Sequence, residues 1–169
     1  MVHLYLGDGK GKTTCAMGLA LRAAGREQRV VIAQFLKSGD SGERLALKRF
    51  SNVTLLPVPE RVKFTFAMDA MEKEAAAEQS SRLLAAAQGL MSGCDLLVLD
   101  EICAAVSTGL LPLEQVTGLL DRRPESLEVV LTGRDPAPAL YDRADYITEM
   151  VKRKHPFDRG AAARRGVEY

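Results

Sequence analysis

The chain has 169 residues, 47% of them hydrophobic and 27% charged, which suits one domain (1–169) with a single core and is short for two. With 23 Lys and Arg against 22 Asp and Glu, the formal net charge of +1 gives no electrostatic reason to expect a nucleic-acid or membrane-surface protein, and only the stretch 152–165 is locally basic. Three cysteines, Cys15, Cys94 and Cys103, an odd number with no C-x-x-C spacing, argue against a disulfide framework and against structural zinc.

In chain order, short apolar runs alternate with helical patterns. "VHLYL" (2–6) reads as a buried strand. It follows Met1 directly and ends in glycine at residue 7, which leaves no room for a signal peptide, so a reducing cytoplasm is the expected compartment. "KTTCAMGLALRAAG" (12–25) reads as a helix with Gly25 at its C-cap. "RVVIAQF" (29–35) and "VTLLPV" (53–58) read as further strands, separated by the irregular "LKSGDSGER" (36–44). After the irregular "PERVKFTF" (59–66), a helix is expected over 67–91, with Met68, Met71, Ala75, Leu83, Ala87 and Leu90 as its core stripe. "DLLVLD" (95–100), "LEVVLT" (127–132) and "ADYITEMV" (144–151) complete six strands, and Pro112 introduces a helix over 113–122.

This alternation predicts an α/β fold of the P-loop NTPase or RecA-like kind: a mainly parallel six-stranded sheet with helices on both faces. Ligands in such a fold gather at the carboxyl ends of the strands.

"GDGKGKTT" (7–14) sits where a phosphate-binding loop belongs, after the first strand and at the start of the first helix. The common pattern G-x-x-x-x-G-K-[ST] would place a glycine at position 6, which is Leu6; Gly7 comes one residue late. Gly7, Gly9 and Gly11 let backbone N–H groups approach phosphate oxygens, with Asp8 and Lys10 between them, and the helix N-terminus adds partial positive charge. Lys12 would neutralise phosphate, and Thr13 or Thr14 would offer a hydroxyl to Mg²⁺. "DLLVLDE" has the form of a Walker B strand, its Asp100 and Glu101 facing a triphosphate-borne metal; the competing reading is a solvent-facing strand end or a helix cap. From the residues alone, this is an ATP-binding α/β domain using Mg²⁺, with hydrolysis still open through Glu101.

"GDGKGKTT", "RVVIAQFLKSGDSGE", "KFTF", "LLVLDEI", "VVLTGR" and "KHPFDRGAAARRGVEY" together resemble, in the same order and over nearly the whole chain, the ATP:corrinoid adenosyltransferases, also called cob(I)yrinic acid a,c-diamide adenosyltransferases. The resemblance implies transfer of the 5′-deoxyadenosyl group of ATP to the cobalt of a reduced corrinoid with release of triphosphate. ATP would be held in the reverse sense to common P-loop kinases. By the same resemblance Gly7, Asp8, Gly9, Lys10, Gly11 and Lys12 cradle the triphosphate, Thr13 and Thr14 contact phosphate and metal, and Glu101 completes the Mg²⁺ site. Lys12 and Glu101 are then the catalytic residues, and Asp100 orients its neighbour.

Arg22 falls where the family has an arginine near the nucleotide, although it also reads as an exposed helix charge. Phe64 and Phe66 match an aromatic-Thr-aromatic element that packs against the lower face of the corrin and displaces the axial ligand; by spacing alone the same residues read as a short strand burying one ring. The tail would lie by the active site. A homodimer and a transient flavoprotein reductant are implied, with no nucleic-acid or membrane partner. A P-loop phosphotransferase or ATPase acting at the γ-phosphate is the competing class; it accounts for the loop and "LDE" but not for "KFTF" or the tail. A single-strand DNA-binding ATPase ranks last, because aromatics are 5% of the chain.

Overall fold

The computed structural model describes residues 1–168; Tyr169, the end of "GVEY", lies outside the described residues. Six strands, β1 (Val2–Leu6), β2 (Val30–Gln34), β3 (Val53–Leu55), β4 (Leu96–Asp100), β5 (Glu128–Thr132) and β6 (Tyr146–Glu149), form one sheet in the order β3-β2-β4-β5-β1-β6. Every pairing is parallel, so the expected mainly parallel sheet is wholly so.

The alternation of side chains along each strand divides the core in two. Val31, Ala33, Leu97, Leu99, Val129 and Leu131 face one side, with Leu84 and Ala87 of α3 (Ala70–Leu90) and Leu119 and Leu120 of α5 (Leu113–Asp121). Val30, Ile32, Leu96, Val98 and Val130 face the other, against Ala16, Met17 and Ala20 of α1 (Lys12–Ala24). Both sides of the inner strands are therefore apolar, which is why their sequences are near-continuous hydrophobic runs.

Three short helices, α2 (Gly42–Leu47), α4 (Ile102–Ser107) and α6 (Pro138–Tyr141), were not expected, because four to six residues are too few to show a helical period. The α2 helix begins inside the stretch 36–44 that reads as irregular.

Two expectations need correction. β6 reads as buried but is an edge strand: all four residues are exposed, Tyr146 and Ile147 at 50% each. A hydrophobic run does not reveal whether a strand has one neighbour or two. The stripe on α3 holds only in part, at Ala87 in the core and Leu83 packed against it. Met71 is 80% exposed and Leu90 40%, while the buried positions are Ser80, Leu84 and Ala87. A 21-residue helix is roughly 32 Å long against about 17 Å for a five-residue strand, so its first turns run past the sheet and border a cleft instead of the core.

The start of α3 is fixed by a reciprocal capping box: the Glu72 N–H donates to the Asp69 carboxylate at 2.8 Å, and the Asp69 N–H to the Glu72 carboxylate at 3.1 Å. Asp69→Ala is expected to lower unfolding free energy by about 1 kcal/mol in urea denaturation, with the slope unchanged.

Candidate active site

Parallel strands bring the loops after β1, β2, β4 and β5 to one edge of the sheet. The loop 7–11 lies hard against the end of β6. The Gly9 N–H donates to the Met150 carbonyl at 2.7 Å, and a Cβ on Gly7 or Gly9 would collide with the Met150 backbone. Gly11, the N-cap of α1, has φ +119, a conformation that side chains other than glycine's rarely tolerate. Lys12, only 8% exposed, sits at the centre of the loop and donates to the carbonyls of Gly7 (2.7 Å) and Gly9 (2.8 Å). Burial, then repulsion from Arg134, lowers its pKa.

Asp8 turns toward the tail. Its carboxylate accepts the Lys152 N–H at 2.9 Å, and that bond holds it below the usual carboxylate range. Lys10 also turns there, donating to the Val167 carbonyl (2.7 Å) and to Glu168 (3.2 Å). Hydrogen bonds from Arg164, with a further one from Lys10, hold the Glu168 carboxyl at about 2. The tail thus returns to the loop as expected, but through Glu168 and His155; of its basic residues, Arg164 pairs with Glu168 and the Lys152 ammonium with Asp158.

Behind the loop the ends of three neighbouring strands present a polar row. Gln34 is paired in register with Asp100, and one residue beyond the Leu99–Leu131 pair come Asp100 and Thr132. By alternation all three point to the α1 side of the sheet. Asp100 is fully buried, and its two oxygens accept four hydrogen bonds: Thr13 (3.0 Å) and Thr132 (2.7 Å) on Oδ1, Gln34 (3.0 Å) and Lys37 (2.7 Å) on Oδ2. Burial pushes the carboxyl up, but the Lys37 charge and these hydrogen bonds overcome it and keep it below the ordinary value. Arg44, itself buried, donates to the Gln34 side-chain carbonyl at 3.0 Å, which points the Gln34 amide N–H at Asp100.

Glu101 is partly buried, with φ +60, unusual for a residue bearing a side chain; its N–H donates to Thr132 Oγ1 at 2.8 Å. Burial raises its carboxyl pKa. The strained turn aims Glu101 into a pocket of about 240 Å³ that loop residues 8–14 share with Lys37, Arg134, His155 and Glu168. Among the described residues, no group of three His, Cys, Asp or Glu side chains could hold a metal ion unaided.

Of the residues predicted for the site, the structure brings together the loop, Lys12, Thr13, Thr14 and Glu101. Arg22 is not among them: it is exposed in the last turn of α1, roughly 15 Å along the helix axis from Lys12. Phe64 and Phe66 lie apart from the pocket, around a 3-10 turn at 65–67 instead of on a strand. Neither ring is buried; they are 75% and 85% exposed and stack on each other at 5.4 Å. The adjoining residues 59–63 line a cleft of about 710 Å³ that runs along the first turns of α3 to Gln34. The cleft and the loop pocket are neighbours, for Ser38 lines the cleft and Lys37 the pocket.

Sequence reading missed Lys37, Gln34, Thr132 and Arg134. All four lie in "RVVIAQFLKSGDSGE" and "VVLTGR", two of the segments that carry the family resemblance, but without a role for any one residue; that "VVIAQ", "LLVLD" and "EVVLT" each end on a polar residue means little until the strands are placed side by side.

The family described as ATP:corrinoid adenosyltransferase BtuR/CobO/CobP matches residues 1–169. The chain belongs to this family. It is 32% identical to the corrinoid adenosyltransferase of Escherichia coli, over all of this chain and 85% of that one. The corrinoid adenosyltransferase of Pseudomonas aeruginosa is 33% identical over 98% of this chain and 82% of its own length, and the corrinoid adenosyltransferase CobA of Salmonella typhimurium is 32% identical over 100% and 85%. The positive φ of Glu101 beside the glycine-rich loop is backbone strain of the kind that clusters at active sites. Glu101→Gly and Glu101→Ala remove the same carboxylate, but only glycine accepts φ +60 freely. The glycine variant is therefore expected to be more stable than the alanine variant by about 1 kcal/mol in denaturant titration, with both impaired in turnover.

Proposed function

We propose that this chain, acting as one catalytic domain over residues 1–169, transfers the 5′-deoxyadenosyl group of ATP to the Co(I) centre of a corrinoid and releases triphosphate. The observation that carries the reading, beside membership of the family, is the adjacency of a lysine-centred phosphate pocket and a larger cleft next to exposed aromatic rings. One reactant's anionic end and a bulky second reactant can then meet at the carboxyl edge of the sheet.

Chemically, the Co(I) lone pair attacks the ribose C5′, the C5′–O bond breaks, and its electron pair departs with the triphosphate. No proton moves, so the site needs neither a serine or cysteine nucleophile nor a general base. The protein supplies position and charge. Gly7 and Gly11 offer backbone N–H groups, whereas the Gly9 N–H, expected to do the same, is spent on the Met150 carbonyl and Gly9 serves the close approach of the loop to β6; Asp8 and Lys10 tie the loop to the tail, and Lys12, Thr13 and Thr14 face the phosphates. Phe64 and Phe66 present apolar rings to the corrin face.

Mg²⁺ fits the donor set: the Thr13 hydroxyl and Glu101 carboxylate are hard oxygen ligands in the pocket, and too few to bind a metal without phosphate oxygens. When bound, the ion would neutralise charge on the leaving triphosphate, with Thr13 and Glu101 holding it and Asp100 orienting Thr13. A cytoplasmic setting, a homodimer and a flavoprotein that delivers electrons to Co(II) belong to the same reading, supported by the family resemblance. No helix among the described residues is long and apolar enough to cross a membrane.

Incubation with MgATP and a corrinoid reduced to Co(I) is expected to give a light-sensitive cobalt–carbon product and triphosphate; ADP with phosphate and unchanged corrinoid would overturn the reading. Phe64→Ala or Phe66→Ala is expected to slow the reaction from Co(II) with reductant by about tenfold more than the reaction from pre-reduced Co(I). Equal losses from both starting states would argue against ligand displacement by the rings.

A further inference from the structure

Each oxygen of Asp100 already accepts two hydrogen bonds, so its lone pairs are fully used. A cation that approaches this carboxylate must displace one of the four donors. Gln34 and Thr132 are 2% and 0% exposed and fixed by the register of β2, β4 and β5, and Gln34 is further pinned by Arg44. Thr13 is held in the first turn of α1. Lys37 differs from all three. It stands on the loop after β2, its side chain is 28% exposed, and its ammonium bridges Thr13 Oγ1 (2.6 Å) and Asp100 Oδ2 (2.7 Å). A threonine hydroxyl from the phosphate loop and a carboxylate from the neighbouring strand end are the donors between which a triphosphate-borne divalent cation binds in loops of this type.

We propose that Lys37 is an exchangeable counter-cation of the nucleotide site: its ammonium competes with the divalent metal for the Thr13 hydroxyl, which it bridges to Asp100, and MgATP displaces it onto the triphosphate. The proposal rests on the Mg²⁺ reading above. Once displaced, the ammonium remains beside the anion pocket that Lys37 lines with Lys12 and Arg134. Lys37 thereby satisfies a buried carboxylate in one state and stabilises the leaving group in the other. A lysine suits this exchange because its charge is a point on a flexible stem, unlike the rigid fork of arginine.

The test uses the full chain and Mn²⁺ as the metal probe, read by electron paramagnetic resonance with and without ATP, no corrinoid present. Without nucleotide the unsubstituted chain is expected to bind Mn²⁺ only weakly, whereas Lys37→Met, whose freed Thr13 and Asp100 oxygens join Glu101, binds it about tenfold tighter; inorganic triphosphate binds the variant about tenfold weaker, each the weight of one charge-assisted hydrogen bond. The variant's melting temperature in chelator is expected to fall and to recover on adding Mn²⁺, a rescue that a purely structural lysine would not give. Unchanged or weaker Mn²⁺ binding in the variant, alongside normal Mn²⁺ binding to the unsubstituted chain with ATP, overturns the proposal alone. Failure of the unsubstituted chain to bind Mn²⁺ with ATP overturns the metal reading and the proposal together.

Should Lys37→Met not fold in chelator, the unsubstituted chain answers the same question. Its Lys37 ammonium resonance in nitrogen-resolved NMR, assigned by its loss in Lys37→Arg, is expected to shift when MgATP is added. A resonance that does not respond overturns the proposal.

Discussion

A carboxylate with no exposure at the end of β4 organises this site. Removing an ionised Asp100 from water costs several kcal/mol unless every lone pair is met and a positive charge is near. The protein meets that demand with one donor from each flanking strand, one from the phosphate loop and one ammonium. Because those donors come from four separate segments, satisfying Asp100 also sets the spacing between the ends of β2, β4 and β5 and the start of α1. The glycine-rich loop is thereby placed by the core of the sheet.

The loop itself is held from two other directions. From inside, the Lys12 ammonium gathers the Gly7 and Gly9 carbonyls; from outside, the Met150 backbone leaves no space for a side chain on either glycine. A loop of this length seats closely on the end of β6, and Asp8 and Lys10 tie it to the C-terminal segment. Glu101 adds a strained backbone at φ +60 to this cluster, next to the fully buried Asp100 carboxylate. Strain beside a rigid network is stored and does not relax, since Thr132 accepts from the Glu101 N–H and donates to Asp100.

Much of the chain was legible because its signals are local. The six apolar runs are the six strands, "KTTCAMGLALRAA" is α1, and "GDGKGKTT" between a strand and a helix is a loop at a helix N-terminus. The errors came where one segment's surroundings decide its role. β6 is apolar enough for an inner strand but has a single neighbour, and Met71 lies in the first turn of α3, in a part that extends past the sheet. Neither the neighbour nor the overhang is written in the periodicity. Likewise "KFTF" has the spacing of a strand, yet its turn leaves both rings exposed and stacked.

By itself the sequence determined the α/β class, a glycine-rich loop with Lys12 and Thr13 between the first strand and first helix, the Asp100-Glu101 pair at a strand end and, through whole-chain likeness, the family. These follow from residue type and spacing along one stretch of chain. Only the tertiary structure decided that Gln34, Thr132 and Lys37 converge on Asp100, that Arg22 stands away from the loop, and that the pocket at the loop adjoins a larger cleft. The physical reason is register: which strand ends meet, and on which face of the sheet, is fixed by pairing between segments tens of residues apart, and no local pattern encodes that pairing.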